Sequence, residues 1–401
     1  MTQHSDLSIQ LTKDISKMDK QQNGIFFTSP KTVSKNIEYI KQHLKNSKTV
    51  LEPSCGSCEY INQIHAKFPH LDITGVEFNN TIYDSVKAIE NEKVTILHED
   101  YLTYESNIKY DVIIGNPPFF VMKKSQVDKS YHKYFNGRPN IFILFIIKSL
   151  RSLANGGLLS FILPANFLNC LYYDKTRKYI ADNFTILKII ESDGDFIDTT
   201  QDTIILIIKN ELPKSNKPNI VGNNPYTIFG TIKNVTKLES YYDNTTTLKQ
   251  MGFKVTVGKV VWNQCKDILT DDDSKTLLIY SSDIKNKKID TQPYSNKDKK
   301  NFIDKEGNSG PILVINRGYG VGTYKFEYCL IDIDREYQIE NHLICIVPVT
   351  EMDNVKQKYS QIVQSFENDK TLEFIKLYFG NNAINTTELC ELLPIYLCND
   401  I

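Results

Sequence analysis

One short stretch, YDVIIGNPPFF at residues 110–120, carries a buried strand directly into a rigid polar corner. Its apolar run predicts a strand that is covered on both faces of a sheet. The two prolines lack backbone N–H groups and fix φ, so neither a strand nor a helix continues through them. The corner therefore presents the amide of Asn116, the carbonyl of Pro117 and the ring of Phe119. Taken alone, it could equally be a purely structural turn.

Acidic side chains end the neighbouring predicted strands in the same way. Glu52 precedes a turn that contains Gly56, and Glu77 and Asp100 end the next two strands. Such a turn lets the backbone approach a ligand, and an acid about 20 residues later is typical of a ribose-binding position. Helix capping explains any one of these residues, but it does not explain three acids and Asn116 at the ends of four successive strands. Because ligands bind at the carboxyl ends of the strands in open α/β sheets, we expect a nucleoside-containing cofactor here.

The elements that must position these residues alternate along the first 210 residues. Strands alternating with helices predict βαβ units and a mostly parallel, doubly wound sheet. The last two strands have a short link and should pair antiparallel, as a hairpin at the end of a seven-stranded, Rossmann-like sheet. The predicted strands span 49–54, 72–78, 94–100, 110–116, 157–164, 185–192 and 203–209. The predicted helices span 31–46, 57–68, 80–91, 140–154 and 174–183.

The character of the sequence changes after this α/β region. The stretch LPKSNKPNIVGNNPY is rich in Pro, Asn and Ser and is typical of a connector. Short β-like runs then alternate with polar turns, and a helical segment follows at 369–379, which predicts a second, β-rich α+β domain. We expect a first domain over 1–215, a linker over 216–240 and a second domain over 241–401.

Composition bounds the class of protein. The chain has 401 residues, of which 41% are hydrophobic and 24% are charged, as in a globular protein of two domains. A net charge of −1 argues against a protein that encloses nucleic acid or another polyanion without specificity. There is no apolar run of membrane-spanning length and no signal-peptide core, and the eight scattered cysteines fit a reducing compartment. We expect a soluble, cytoplasmic protein. Cys55 and Cys58 could form a redox or zinc pair, but without a second close pair we expect no metal.

The ordered set of motifs resembles the gamma class of N6-adenine DNA methyltransferases, which use S-adenosylmethionine. In this resemblance NPPF matches the catalytic motif of the family, and the match extends over the first half of the chain in the family's order. The other matching segments are NGIFFTSPKTVSKNI (23–37), LEPSCGS (51–57), VEF (76–78), EDYL (99–102), GGLLSFILPANFL (156–168) and DGDFIDTTQDTIILIIK (193–209). Residues 1–215 would then be the catalytic domain and residues 241–401 a target-recognition domain.

The resemblance implies roles for individual residues. Asn116 and the Pro117 carbonyl would accept the two N6 hydrogens of an extruded adenine, between the rings of Phe119 and Phe196. Glu77 would bind the cofactor's ribose hydroxyls, Phe78 its adenine ring and Asp100 its exocyclic amine. The full expected set of cofactor-binding residues is Thr28, Glu52, Ser54, Gly56, Glu77, Phe78, Asp100, Tyr101, Asn116 and Pro118. One departure is Cys58, where the family usually has glycine.

Basic and amide residues outside the catalytic motifs are candidate DNA contacts. Lys123, Lys124, Lys133 and Arg138 follow the NPPF corner and could contact phosphates, although a solvated loop is the ordinary explanation of such a charge run. In the second domain we expect Asn316, Arg317, Tyr319 and Lys325 to contact the target, because Arg and Asn suit bidentate recognition of bases.

The sequence therefore predicts a site-specific adenine-N6 DNA methyltransferase that acts on double-stranded DNA. It could accompany a separately encoded restriction endonuclease or act alone. Three alternatives stay open: an N-methyltransferase for RNA adenine or protein glutamine, a cytosine-N4 enzyme, and an inactive DNA-specificity module.

Overall fold

The structure, a computed structural model, describes residues 4–192, 202–222, 224–291, 293–317, 326–379 and 384–397. The chain divides into two compact units, Met1–Thr236 and Lys237–Ile401. Each unit has its own sheets and its own hydrophobic core.

Unit 1 is built on a seven-stranded sheet with the order β3-β2-β1-β4-β5-β7-β6. Strands β1 to β5 run parallel, whereas β7 pairs antiparallel with both β5 and β6. This arrangement confirms the predicted parallel sheet with its terminal antiparallel hairpin. The strands are β1 (Thr49–Glu52), β2 (Asp72–Glu77), β3 (Val94–His98), β4 (Tyr110–Gly115), β5 (Leu153–Pro164), β6 (Thr185–Ser192) and β7 (Thr203–Lys209).

Helices cover both faces of this sheet because successive strand residues are apolar. On β4, Val112 and Ile114 pack in one core cluster with α3 and α4, and Ile113 packs in the other with α6. The helices are α1 (Asp6–Asp14), α2 (Lys17–Asn23), α3 (Pro30–Asn46), α4 (Glu59–Lys67), α5 (Asn80–Val86), α6 (Ile141–Ser152), α7 (Asp174–Asn183) and α8 (Ile232–Ser240), the last of which spans the unit boundary.

The sequence prediction missed α1 and α2 and misplaced some helix ends. Helix α4 begins at Glu59 instead of 57, because the preceding residues complete the turn after β1. Helix α5 ends at Val86, where a 3₁₀ turn over Lys87–Ile89 replaces the predicted last turn.

The predicted linker is folded where the structure describes it. The Arg177 guanidinium is buried and donates to the Thr227 carbonyl, and the Phe229 N–H donates to the Leu168 carbonyl. Asn216 is buried and donates to the Phe184 carbonyl at 2.8 Å. These contacts hold the segment after β7 against α7 and the end of β5.

Unit 2 contains two four-stranded sheets with the orders β10-β14-β11-β17 and β16-β15-β18-β9. Two short ribbons, β12-β13 and β19-β8, complete the β structure of the described residues. The strands are β8 (Thr245–Thr246), β9 (Phe253–Val257), β10 (Leu269–Thr270), β11 (Thr276–Ile279), β12 (Ile284–Lys285), β13 (Lys288–Ile289), β14 (Phe302–Ile303), β15 (Ile312–Asn316), β16 (Tyr328–Ile331), β17 (Tyr337–Ile339), β18 (Leu343–Pro348) and β19 (Ile395–Tyr396).

In the C-terminal part of unit 2 the described residues form three helices: α9 (Val355–Phe366), α10 (Asp369–Tyr378) and α11 (Thr386–Glu391). The prediction of a β-rich α+β region is confirmed, and the predicted helix at 369–379 corresponds to α10. Within the described ranges, no helix of either unit has both the length and the apolarity to cross a membrane.

Candidate active site

A cavity of about 290 Å³ opens in unit 1 beside the carboxyl ends of β1 to β4. Most of the residues predicted to bind a cofactor line it, although they come from four different strand ends. Those residues are Ser54, Gly56, Glu77, Phe78, Asp100, Tyr101, Asn116 and Pro118. Thr28 and Glu52 are buried and are not among the residues that line the cavity.

Asn116 is held in one orientation by residues far away in the sequence. Its Nδ2 donates to the Phe26 carbonyl at 3.2 Å, and its own backbone carbonyl accepts from the Ser54 hydroxyl at 3.2 Å. Because a carbonyl oxygen can only accept, the contact with Phe26 fixes which side of the amide carries the NH₂ group. The Asn116 Oδ1 is buried and has no hydrogen-bond partner among the residues that the structure describes.

The segment between α2 and α3 forms a wall of the cavity; it had been matched to a family motif, but only Thr28 in it was predicted as a site residue. Residues 23–27 all line the cavity. Gly24 ends α2 in the left-handed region with φ +63°, and a Cβ at this position would lie 2.5 Å from the Phe119 backbone nitrogen. Only glycine allows this close approach, so Gly24 brings the segment directly against the NPPF corner. A glycine directly after a helix was the available sequence signal, but its partner was not readable.

The ring of Phe119 is half-buried beside two other aromatic rings. Its centroid lies 6.5 Å from that of Phe26 and 6.0 Å from that of Phe142, the latter in an edge-on arrangement. The next residue, Phe120, lines the cavity, together with Met122 and Phe145. These three apolar residues were not predicted as site residues, because nothing in their spacing separates them from an ordinary core.

The turn after β1 is tied to the end of β2 through Glu77. The Glu77 Oε2 accepts from the Gly56 N–H at 2.9 Å, and its Oε1 accepts from the Asn79 N–H at 2.7 Å. Burial raises the pKa of Glu77, while these backbone donors act in the opposite direction. Each carboxylate oxygen has two acceptor sites, so both retain capacity for a further donor such as a ribose hydroxyl.

Cys58 has the backbone conformation that a glycine would adopt without cost. Its φ of 57° lies in the left-handed region, directly before the first residue of α4. A non-glycine residue held there costs on the order of 1 kcal/mol, which accounts for glycine being usual at this position in the resembling family. The Cys58 side chain is fully buried as a free thiol, and its hydrogen bond with the Cys55 thiol, together with burial, raises the pKa of Cys55.

Glu52 is a buried carboxyl group at the end of β1. Only 3% of the residue is exposed, and its Oε2 lacks a hydrogen-bond partner within the described parts of the chain. Burial, reinforced by Cys58 and Glu77, raises the pKa of Glu52 well above its ordinary range. A cation or a strong donor at this oxygen would favour the ionised form.

Asp100 begins a tight turn after β3. Its backbone carbonyl accepts from the N–H groups of Thr103 and Tyr104, and its Oδ1 accepts from the Leu102 N–H at 2.9 Å. Phe78 also lines the cavity and is 68% exposed, so its ring is available to a planar ligand.

The predicted DNA contacts are divided between the two units. Lys123, Lys124, Lys133 and Arg138 are exposed after the NPPF corner, where short 3₁₀ turns replace the expected loop. In unit 2, Asn316 ends β15 and Arg317 is exposed beside it, with its N–H donating to the His342 carbonyl at 3.3 Å. Phe196, Tyr319 and Lys325 lie outside the described residues.

Part of the sequence is similar to a known family. Residues 6–197 match the model of the Eco57I restriction-modification methylase family. The whole chain is similar to two viral proteins. It is 28% identical to the modification methylase CviBIII of Paramecium bursaria Chlorella virus NC1A, over 98% of this chain and 99% of that protein. It is also 28% identical to the type II methyltransferase M.CvrRI of Paramecium bursaria Chlorella virus XZ-6E, over 98% of each.

Among solved structures, a putative class I S-adenosylmethionine-dependent methyltransferase from Listeria monocytogenes matches with a TM-score of 0.43 and 21% identity. The match covers 51% of this chain and 65% of that one. The sequence similarities support a methyltransferase of the restriction-modification type.

Proposed function

We propose that this chain is a site-specific DNA methyltransferase that transfers a methyl group from S-adenosylmethionine to N6 of adenine. The observation that carries the proposal is the Asn116 amide, whose NH₂ group is committed to the Phe26 carbonyl while its buried Oδ1 has no partner in the described structure. An unfilled buried acceptor costs about 1–3 kcal/mol, and a donor on a bound substrate would remove that cost.

An exocyclic amine is the substrate group that suits this corner. The adenine amine is a weak nucleophile because its lone pair is delocalised into the ring. Acceptance of its two hydrogens by the Asn116 Oδ1 and the Pro117 carbonyl would favour a more tetrahedral nitrogen with an available lone pair. Fixed acceptors aimed at the reacting group need no reorganisation during the reaction. Phe119 would stack on one face of the extruded base. Phe196, which was predicted to contact the other face, lies outside the described residues.

The residues of the cavity fit S-adenosylmethionine, which when bound supplies the methyl group as an electrophile. Glu77 retains acceptor capacity for the ribose hydroxyls, and the exposed ring of Phe78 suits the adenine. Asp100 would accept from the exocyclic amine of the cofactor. Thr28, Glu52 and the turn from Ser54 to Gly56 would hold its methionine end, where the unpartnered oxygen of Glu52 suits an ammonium group.

Double-stranded DNA is the proposed substrate because of the relatives' names and the basic surface. The relatives similar over the whole chain are named as a modification methylase and a type II methyltransferase. The exposed residues Lys123, Lys124, Lys133 and Arg138 lie beside the NPPF corner and would contact phosphates. Unit 2 would recognise the target sequence, with Asn316 and Arg317 among its contacts. A cytoplasmic location on DNA and a separately encoded restriction endonuclease as partner remain predictions.

The test is expression of the chain in a host without DNA methylation, followed by sequencing that detects modified bases. We expect N6-methyladenine at one short motif, and none in the Asn116→Ala variant. Cofactor binding by the purified chain without modified adenine would favour RNA or protein glutamine as the substrate. N4-methylcytosine would reassign the base, and a chain that binds no cofactor would instead be an inactive specificity module.

A further inference from the structure

A buried lysine on α6 lies directly behind the wall of the cofactor cavity. Lys148 is only 9% exposed, and the seven residues of α6 that precede it are all apolar. A buried ammonium group is costly unless hydrogen bonds compensate it, and burial lowers the pKa of Lys148. Hydrogen-bond acceptors must therefore compensate the ammonium group of Lys148 at this position.

The Lys148 ammonium holds the far side of the turn that Asp100 begins. Its Nζ donates to the Leu102 carbonyl at 3.1 Å and to the Tyr104 carbonyl, and it lies 5.4 Å from the centre of the Tyr101 ring. Two backbone carbonyls thus accept hydrogen bonds from the buried ammonium group, which compensates its loss of solvent. By contrast, Glu105 lies 3.7 Å from the Nζ with a side chain that is 93% exposed, so this ion pair contributes little.

The same turn borders two cavities. Asp100, Tyr101 and Leu102 line the proposed cofactor cavity, while Tyr101 and Leu102 also line a second cavity of about 480 Å³ that includes Lys148. Tyr101 and Leu102 of this turn therefore border both cavities. Besides Lys148, α6 holds this turn through Ser149, whose Oγ lies 3.0 Å from the Tyr101 hydroxyl.

We infer that Lys148 is a positioning residue for cofactor selection. By fixing the carbonyls of Leu102 and Tyr104 it fixes the turn, and with it the Asp100 carboxylate that accepts from the exocyclic amine of the cofactor. The inference rests on the proposed function, and Lys148 itself touches neither cofactor nor substrate. The consequence is selectivity for adenine over a purine without that amine.

The test compares two ligands by calorimetry: S-adenosylhomocysteine, and its analogue with hydrogen in place of the exocyclic amine. Wild-type protein should prefer the former by about tenfold, the size of one hydrogen bond to a charged group. Lys148→Met keeps a long side chain on an apolar helix but removes the donors, and it should lose most of this preference. Glu105→Gln is the matched control and should keep it. A merely structural role would change both affinities together and leave their ratio intact.

Thermal unfolding of each variant shows whether it is folded. If Lys148→Met does not fold, Lys148→Gln is measured in the same way. A folded variant at position 148 that retains the wild-type ratio would overturn this inference while leaving the proposed function standing. Wild-type protein that binds neither ligand would overturn both.

Discussion

The side chain of Asn116 donates from Nδ2 to the backbone carbonyl of Phe26, 90 residues earlier in the chain. The contact joins the NPPF corner to the segment that precedes α3, which forms another wall of the same cavity. It leaves the amide oxygen as the atom available to a substrate donor.

Replacement of Asn116 by Asp should therefore be nearly as damaging as its removal. A carboxylate cannot donate to the Phe26 carbonyl, so two acceptors would face each other and the side chain would turn away. We expect kcat to fall by about 10²–10³-fold, as when one preorganised hydrogen bond is lost at a transition state. The measurement is transfer of a labelled methyl group to duplex DNA, with cofactor affinity measured in parallel. Turnover of Asn116→Asp near the wild-type rate would contradict the proposed role of the amide.

Replacement of Gly24 by Ala should displace the NPPF corner. The new Cβ would lie 2.5 Å from the Phe119 nitrogen, in addition to the strain of φ +63°. Gly156→Ala is the matched control, because φ there is +74° and a Cβ would meet no atom within 4 Å. We expect both variants to lose a similar amount of stability from backbone strain, about 1 kcal/mol. Only Gly24→Ala should also lose methyl transfer; equal activity of the two variants would show that the close approach is unimportant.

Replacement of Lys123 and Lys124 by Ala should weaken DNA binding in a salt-dependent way. Each phosphate contact contributes about 0.9 to the slope of log K against log salt, so the double variant should lose about 1.8. The control is Lys41→Ala with Lys45→Ala, two exposed residues in the second half of α3, which ends beside the opposite edge of the sheet. If the slope is unchanged when Lys123 and Lys124 are replaced, these residues do not contact phosphates and belong to an ordinary solvated surface.

Replacement of Glu52 by Gln should change how stability depends on pH. The folded pKa of Glu52 is raised above its ordinary value of 4.5, so the folded state binds this proton more tightly than the unfolded state. The stabilising effect is complete below the unfolded pKa and is lost as pH rises towards the folded pKa.

The free energy of unfolding of wild-type protein should therefore fall relative to that of Glu52→Gln, by up to about 1.4 kcal/mol per pH unit in that window. Chemical denaturation from about pH 5 to about pH 7 measures the difference. The pKa of Glu77 is raised in both proteins. Its contribution therefore largely cancels from the difference between their free energies of unfolding. Parallel stability curves would mean that Glu52 is ionised in the folded chain.

The sequence by itself determined the architecture of unit 1 and one side of its site. Successive residues on both faces of β4 (112–114) and β7 (204–208) are apolar, which is the pattern of strands covered on both sides. Because parallel strands end at one edge, Glu77, Asp100 and Asn116 could be placed together from their positions at the strand ends alone.

Only the tertiary structure decided which atoms of that site already have hydrogen-bond partners in the protein and which are available to a ligand. The contacts of Gly24 with Phe119, of Phe26 with Asn116 and of Lys148 with Leu102 join residues that are 44 or more positions apart. No local spacing encodes such pairs, because they form when separate elements pack against each other. Lys148 was visible in the sequence inside a predicted apolar helix, whereas the helix that Gly24 ends was not predicted. What each of these residues holds in place depends on the fold.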